Sequence, residues 1–385
     1  MIRYLMIIMV CILYAIPLIK TYQLPGPPSI KHNYYHQKRD LSNSEGPFYS
    51  ESFINNEVDG IKCHASSITS AGKYRMVSVW YAGSREGAAD VALYISFFDE
   101  KKNSWTDTEV LINRDDSSRE LNRYVKKIGN PVIFSDNKDR LYLFYSTVSI
   151  GGWSGTSINY KISLDRGTTW TASRKMVLSP FLNLTNNVKN KGIVLDDGSI
   201  VLPVYHEFIK KYSQMVRVRP DAYGIKYEIN KATHEHKAIQ PSILPEEEKV
   251  LVAFFRNMDS DEEKYILMAE SNDLGNTWTG LQSTTLPHPN SGFDMIRLSN
   301  GFYLGAINKA FDNRGNLTLV LSDDRGRTWK DLKVIESKPD KEYSYPSISM
   351  SEDGLYHITY TYERKRIKHV VFNEAWIRSQ TAYDD

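Results

Sequence analysis

Apolar residues along this chain come in short runs of about three to eight from residue 64 onward, many alternating with polar ones, and a turn signal cuts each run off. The runs at 75–81, 91–95, 141–145, 193–195, 200–202, 250–255, 265–268, 317–321 and 355–362 are rich in β-branched and aromatic residues, which suit a pleated, half-buried surface. Turn pairs such as Asp197-Gly198, Asn300-Gly301 and Asp353-Gly354 punctuate them. No long helical period appears among them, so the pattern predicts an all-β domain over 59–380. Residues 22–58 show neither a period of two nor one of 3.6 and read as a linker or wrapped arm, Pro-rich at 25–28. A strand near 48–56 is expected to close the last sheet after Val370–Phe372.

One turn repeats. Ser163-Leu164-Asp165-Arg166-Gly167-Thr168-Thr169-Trp170, Ser271-Asn272-Asp273-Leu274-Gly275-Asn276-Thr277-Trp278 and Ser322-Asp323-Asp324-Arg325-Gly326-Arg327-Thr328-Trp329 share the form Ser-x-Asp-x-Gly-x-Thr-Trp. Asp accepts amide hydrogens of the turn, Gly takes a positive φ, and Trp packs onto the sheet behind. Serines 271 and 322 lie 51 residues apart and 163 to 271 is 108, twice 54, so one worn copy falls near 212–223. Another worn copy reads Ser96-Phe97-Phe98-Asp99, closing at Trp105. Strand-rich repeats of roughly 50 residues predict a six-bladed β-propeller of four-stranded blades, with the repeated turn structural rather than catalytic.

Lys+Arg number 48 against 46 Asp+Glu, a formal charge of +2, which leaves no global field for nucleic acid or an anionic surface. The N-terminus differs in kind: residues 4–19 are an apolar run behind Arg3, broken only by Pro17. It reads as a signal peptide or signal anchor over 1–21, which makes the chain secreted or, alternatively, anchored to a membrane by a single pass through 4–19. Of two cysteines, Cys11 lies in that run, so Cys63 is expected as a free thiol and the propeller core must supply the stability. Asn183-Leu184-Thr185 and Asn316-Leu317-Thr318 are glycosylation sequons.

The eight-residue turn, together with Cys63-His64-Ala65-Ser66, Gly83-Ser84-Arg85-Glu86-Gly87, Gly129-Asn130-Pro131, Gln240-Pro241-Ser242, Pro289-Asn290-Ser291-Gly292 and Tyr343-Ser344-Tyr345-Pro346, resembles the sialidase-like BNR/Asp-box repeat glycosidases over nearly all of the chain after residue 60. The resemblance implies a Tyr nucleophile, an Asp acid/base on a loop and a clamp of three arginines for the substrate carboxylate. A neutral nucleophile approaches an anomeric carbon bearing a carboxylate more easily than an anion does. By position, Tyr345 matches the nucleophile and Asp90 the acid, with Arg85 beside it. Arg256, after the run 250–255, matches a clamp arginine, since bidentate carboxylate binding needs Arg. His64, Gln240, Asn290 and Asp294 fall at further substrate-binding positions. The alternatives are a packed core tyrosine at 345 and surface ion pairs at 85, 90 and 256.

The departures are specific. Where the family opens its domain with an Arg-Ile-Pro segment, this chain has His64-Ala65-Ser66; Asn290 and Asp294 stand near the third arginine's place; and Gln240, which cannot take a proton, replaces the assisting Glu. Tyr362-Glu363-Arg364-Lys365-Arg366-Ile367-Lys368-His369 reads as a solvated edge strand, with Arg364, Arg366 and His369 as alternative sources of the missing charge. His206-Glu207 and His234-Glu235-His236 lack the remaining ligands of a zinc site, and no phosphate loop is present, so neither cofactor nor metal is expected. Three functions follow from these residues: an exo-glycosidase of sialidase type acting on a terminal acidic sugar of a glycan, an inert glycan-binding propeller, or a polysaccharide lyase with Tyr345 as acid/base and His64 as proton acceptor.

Overall fold

The computed structural model describes residues 29–30 and 46–381, apart from 137–139, 179–184, 208–209, 222–223, 234–236, 248 and 260–263. The apolar run 4–19, Cys11, Asn183 and His234-Glu235-His236 lie outside the described residues. No described helix is long and apolar enough to cross a membrane.

Six antiparallel sheets form the blades of a propeller. Their innermost strands, in order, are Lys62–Ser70, Lys127–Ser135, the broken pair Asn186–Asn187 and Ile193–Val194, Ala238–Pro245, Asp294–Arg297 and Tyr343–Met350. Closure comes from the N-terminal side: Tyr49–Phe53 pairs with Arg366–Phe372 as the outer strand of blade six, in register Tyr49 with Phe372 and Phe53 with Lys368. The expected closing strand is therefore present, and the propeller begins ten residues before 59.

The core lies between blades rather than at the axis. Phe134, Phe144 and Val132 of blade two meet Val204, Val216 and Val218 of blade three, and Phe254 and Met268 of blade four meet Tyr303 and Val320 of blade five. Each sheet is thus buried on both faces, which is why many of its strands read as near-continuous apolar runs.

The repeated turns close the third and fourth strands of blades two, four and five. In the last copy Ser322 Oγ donates to Asp324 Oδ1 at 2.8 Å and accepts from Gly326 N at 2.8 Å, while Thr328 N and Oγ1 donate to Asp324 at 2.9 and 2.6 Å. Both other copies repeat these bonds. The Asp and Ser groups are consumed by the turn itself, as the structural assignment expects. The residue before each Gly is also left-handed, with φ of 58° at Arg166, 59° at Leu274 and 62° at Arg325, a feature the sequence pattern does not announce.

At the opposite face the inner strands begin, and four of them carry the same defect. Register shifts fall between His64 and Ser67, Gly129 and Val132, Ile239 and Ser242, and Ser344 and Ser347. Within them Ala65, Asn130, Gln240 and Tyr345 have φ of 53°, 47°, 51° and 54°. In three blades proline follows, and its missing N–H suits a position outside the ladder. Such a bulge re-aims one side chain per blade.

Candidate active site

Tyr345 is the centre of the cluster at that face. Its hydroxyl accepts a hydrogen bond from Arg256 Nη1 at 3.0 Å, and the same nitrogen donates to Gln240 Oε1 at 3.1 Å. Gln240 Nε2 donates in turn to Tyr205 Oη at 3.2 Å. Arg256 Nε is fixed by Asn290 Oδ1 at 2.8 Å. Behind the phenol ring lies Gly292, where an added Cβ would come 3.2 Å from the ring and 3.1 Å from Lys189 Cε, so a side chain there would crowd both. On another side His64 stands with ring centroids 4.3 Å apart and a 55° tilt.

More cations converge than the sequence suggests. Arg314, on the loop between the second and third strands of blade five, places its guanidinium 5.8 Å from the Tyr345 centroid. It donates to the Asn290 carbonyl at 3.0 Å and to Glu342 Oε1 at 3.3 Å. The other oxygen of Glu342 accepts from Arg364 Nε at 2.9 Å, and Arg364 Nη1 reaches Glu86 at 3.2 Å. From the broken inner strand of blade three comes Lys189, whose Nζ lies 5.7 Å from the Tyr345 ring and donates to Asn190 Oδ1, the Pro346 carbonyl and the Phe293 carbonyl at 2.9, 2.8 and 3.3 Å.

These charges set the protonation states. Burial pushes the Tyr345 phenol up, but the charge of Arg256, the Gln240 amide and Arg314 together outweigh it, and the group ends below its ordinary value. Burial drives His64 well below the usual imidazole range, and Arg364, Arg314, Lys189 and Arg256 add to the effect, so His64 is neutral. Burial also pushes Lys189 down to about 7, against the pull of Asp294. Glu207, at the end of the second strand of blade three, is raised by burial in spite of Arg256 and Lys211.

Most of the residues singled out in the sequence meet here, with differences in what they do. Tyr345, Arg256, Gln240, Asn290 and His64 are in mutual contact or one residue removed. Asn290 touches two arginines and so acts by positioning them. Asp294 is elsewhere: it is buried deeper along the axis, where its oxygens accept from Lys191 Nζ at 2.8 Å, Ser242 Oγ at 2.8 Å and Ile348 N at 2.9 Å, a staple between blades three to six. Asp90 is exposed on the loop between the second and third strands of blade one. Ser84 N and Oγ donate to its two oxygens at 2.8 and 2.9 Å, and these bonds hold its carboxyl below the usual range. Ser84 orients Asp90; the exposed Arg85 contributes only charge.

The charged segment after 362 divides. Arg364 turns into the site, whereas the Arg366 guanidinium stacks 3.4 Å from the Phe53 centroid, and Lys368 pairs with Glu51 and Glu336 at 2.6 Å. His369 is fully buried against His357, its Nε2 3.0 Å from His357 Nδ1, and supplies no charge to the site. Arg314, Glu342 and Lys189 escape the sequence reading because they sit in charged turns or in the blade whose repeat has worn away.

Residues 74–358 match the family model described as BNR repeat-like domain. Among solved structures, a Hadza microbial sialidase aligns with a TM-score of 0.67 at 17% identity, covering 80% of this chain and 65% of that one. A Dyadobacter fermentans protein of unknown function aligns at 0.68 and 13%, covering 86% and 100%. Trypanosoma rangeli sialidase aligns at 0.66 and 14%, covering 88% and 62%, so the chain spans a little under two thirds of each of the two sialidases. Identities this low establish the fold. No curated protein matches the chain significantly.

Proposed function

Because the chain belongs to the BNR repeat-like family of sialidase-like propellers, we propose that it is a retaining exo-glycosidase releasing a terminal acidic sugar from a glycan. The observation that carries this reading is Arg256 on the Tyr345 hydroxyl at 3.0 Å, with Arg314 over the ring: a phenol made more acidic beside two guanidiniums. Trypanosoma rangeli sialidase has been solved with sialic acid, which makes that sugar the first to try.

In the proposed sequence Tyr345 loses its proton to solvent before the substrate binds, and the phenolate, paired with Arg256 at 3.0 Å, forms an ion pair of no net charge, so the substrate carboxylate still meets a nucleophilic group that is neutral overall. The substrate carboxylate is held by guanidiniums, whose paired N–H groups fit its two oxygens. The Tyr345 oxygen bonds to the anomeric carbon as the glycosidic bond breaks, and Asp90 gives its proton to the departing oxygen. Water then attacks the same carbon, Asp90 takes one of its protons, and the Tyr345 bond breaks to free the sugar. Asp90 must leave Ser84 and regain a proton to do this, so the loop 84–90 moves in the cycle.

Gln240 bears on the competing readings. It replaces a proton-accepting carboxylate with an amide, which supports either a nucleophile ionised in advance or a site that binds without turnover. The lyase reading has less support: Thr361 Oγ1 accepts from Ala65 N at 3.2 Å and lies 2.8 Å from His64 Nδ1, its one acceptor among the described residues. With that hydroxyl donating, the ring proton sits on Nε2 and His64 faces a ligand as a donor, not as a base.

Product analysis over a panel of sialylated and uronate-capped glycans separates these readings. A free acidic sugar of retained configuration is expected; an unsaturated sugar absorbing in the near ultraviolet would mean a lyase, and binding without products an inert lectin-like propeller.

A further inference from the structure

The arginine that blade one lacks has a replacement from the far end of the chain. Arg364 lies in the turn between Tyr356–Tyr362 and Arg366–Phe372, where Glu363 and Arg364 are both left-handed, with φ of 52° and 58°. Two successive non-glycine residues seldom adopt that conformation. Here the Arg364 carbonyl accepts from Cys63 N at 2.8 Å, which ties the turn to the start of blade one's inner strand, next to His64.

The two carboxylates on Arg364 are unequal. Glu342 is 27% exposed, bonds Arg364 Nε at 2.9 Å, and is braced by Arg314 at 3.3 Å and Ser344 Oγ at 2.6 Å. Glu86 is 44% exposed and meets Nη1 at 3.2 Å from a loop whose neighbours Ser84 and Arg85 are themselves exposed. Exposed ion pairs contribute little and exchange cheaply, whereas a braced carboxylate stays. Glu342 therefore anchors one edge of the guanidinium, and the other edge is open to exchange.

We infer that Arg364 is a carboxylate-binding arm of the site, and that Glu86 holds on its Nη1 the position that a ligand carboxylate would take. This rests on the acidic-sugar reading above. It adds a coupling, because Glu86 and Asp90 share one loop: a ligand carboxylate that displaces Glu86 also releases the segment carrying the proton donor.

Calorimetric titration with N-acetylneuraminic acid and with glucuronic acid, each against its methyl ester, tests this in the full protein and in Arg364→Met, Arg364→Lys and Glu86→Gln. The protein is expected to bind one acid about tenfold or more tighter than its ester, since only the acid is anionic. Arg364→Met should abolish most of that preference by weakening acid binding far more than ester binding, with Arg364→Lys in between as the folded, charged control. Glu86→Gln should tighten binding of the acid a few-fold and leave the ester unchanged. Arg364→Met keeping the original preference, or Glu86→Gln leaving acid affinity unaltered, would overturn the inference. No preference for acid over ester in the unaltered protein, or no binding of either acid, would instead overturn the acidic-sugar reading and the inference with it.

Discussion

The two faces of the propeller are built from repeats that spend their side chains in opposite ways. On one face, three eight-residue turns use the same Ser, Asp and Thr groups for the same bonds, at distances agreeing to about 0.1 Å across copies. On the other, the bulges repeat a backbone conformation while the side chains they aim differ: Ala65, Asn130, Gln240 and Tyr345. In the first case the side chains make the geometry, so they cannot vary without losing it. In the second the bulge, followed in three of the four blades by proline, makes the geometry, and the aimed side chain is free to carry chemistry. A repeat can therefore hold a fold constant and diversify a site on the same strands.

The contrast predicts separable failures. Tyr345→Phe should reduce turnover roughly a thousandfold or more while thermal unfolding and sugar binding stay close to the unaltered protein. Steady-state kinetics with calorimetry and a melting curve would check it, and retained turnover would remove Tyr345 from the chemistry. Gly326→Ala should do the reverse. Its φ is +81° and an added Cβ would lie 2.5 Å from the Phe254 ring, so a loss of about 2–4 kcal/mol is expected in denaturant unfolding, with substrate preference unchanged. Gly275→Ala shares the positive φ, +86°, but meets nothing nearer than 3.5 Å, and should cost only about 1 kcal/mol. Equal costs at the two glycines would mean that backbone conformation alone, not the contact between blades, decides the turn.

Smaller effects sharpen the axial side. Arg256→Lys keeps the charge and loses the fork, so KM for an acidic substrate should rise about tenfold or more while the melting temperature holds. Ser84→Ala removes one of the bonds that lower Asp90. Its carboxyl should then titrate at higher pH, and because Asp90 must be protonated while the higher-titrating Tyr345 is ionised, the low-pH limb of the pH–rate profile belongs to Asp90 and should move upward, with a higher plateau. A limb unmoved by that change would assign it to another group.

How much of this was legible in the sequence follows the same division. The turns announce themselves because Ser, Asp, Gly and Thr are required by bonds made within eight residues, and their spacing gives the blade count. The closing strand Tyr49–Phe53 was readable only as a need of the last blade, since it is five residues long, only partly buried, and polar between its two end aromatics. At the axis, Tyr345 and Gln240 stand out because Tyr343-Ser344-Tyr345-Pro346 and Gln240-Pro241-Ser242 are among the stretches that carry the family resemblance. Arg314 does not, and Arg364 does so only as one of three candidates in a charged segment, because their loops resemble solvated turns and what gathers them is Glu342, near in space and 28 and 22 residues away in sequence. Lys189 belongs to blade three, one of the blades without the intact repeated turn, where no spacing pointed to it. Asp294 looked like a ligand because a buried staple and a site carboxylate cannot be told apart by residue type alone.

The central claim is that Tyr345 forms a bond to the sugar. Incubating the protein with a fluorinated analogue of whichever acidic glycoside it cleaves, which slows the second step more than release of the leaving group, should trap the intermediate. Intact mass followed by peptide mapping is then expected to place one sugar on the peptide carrying Tyr345 and none on the Tyr345→Phe protein. A trapped sugar on another residue, or continued turnover of the parent glycoside with no adduct at any time point, would contradict the account.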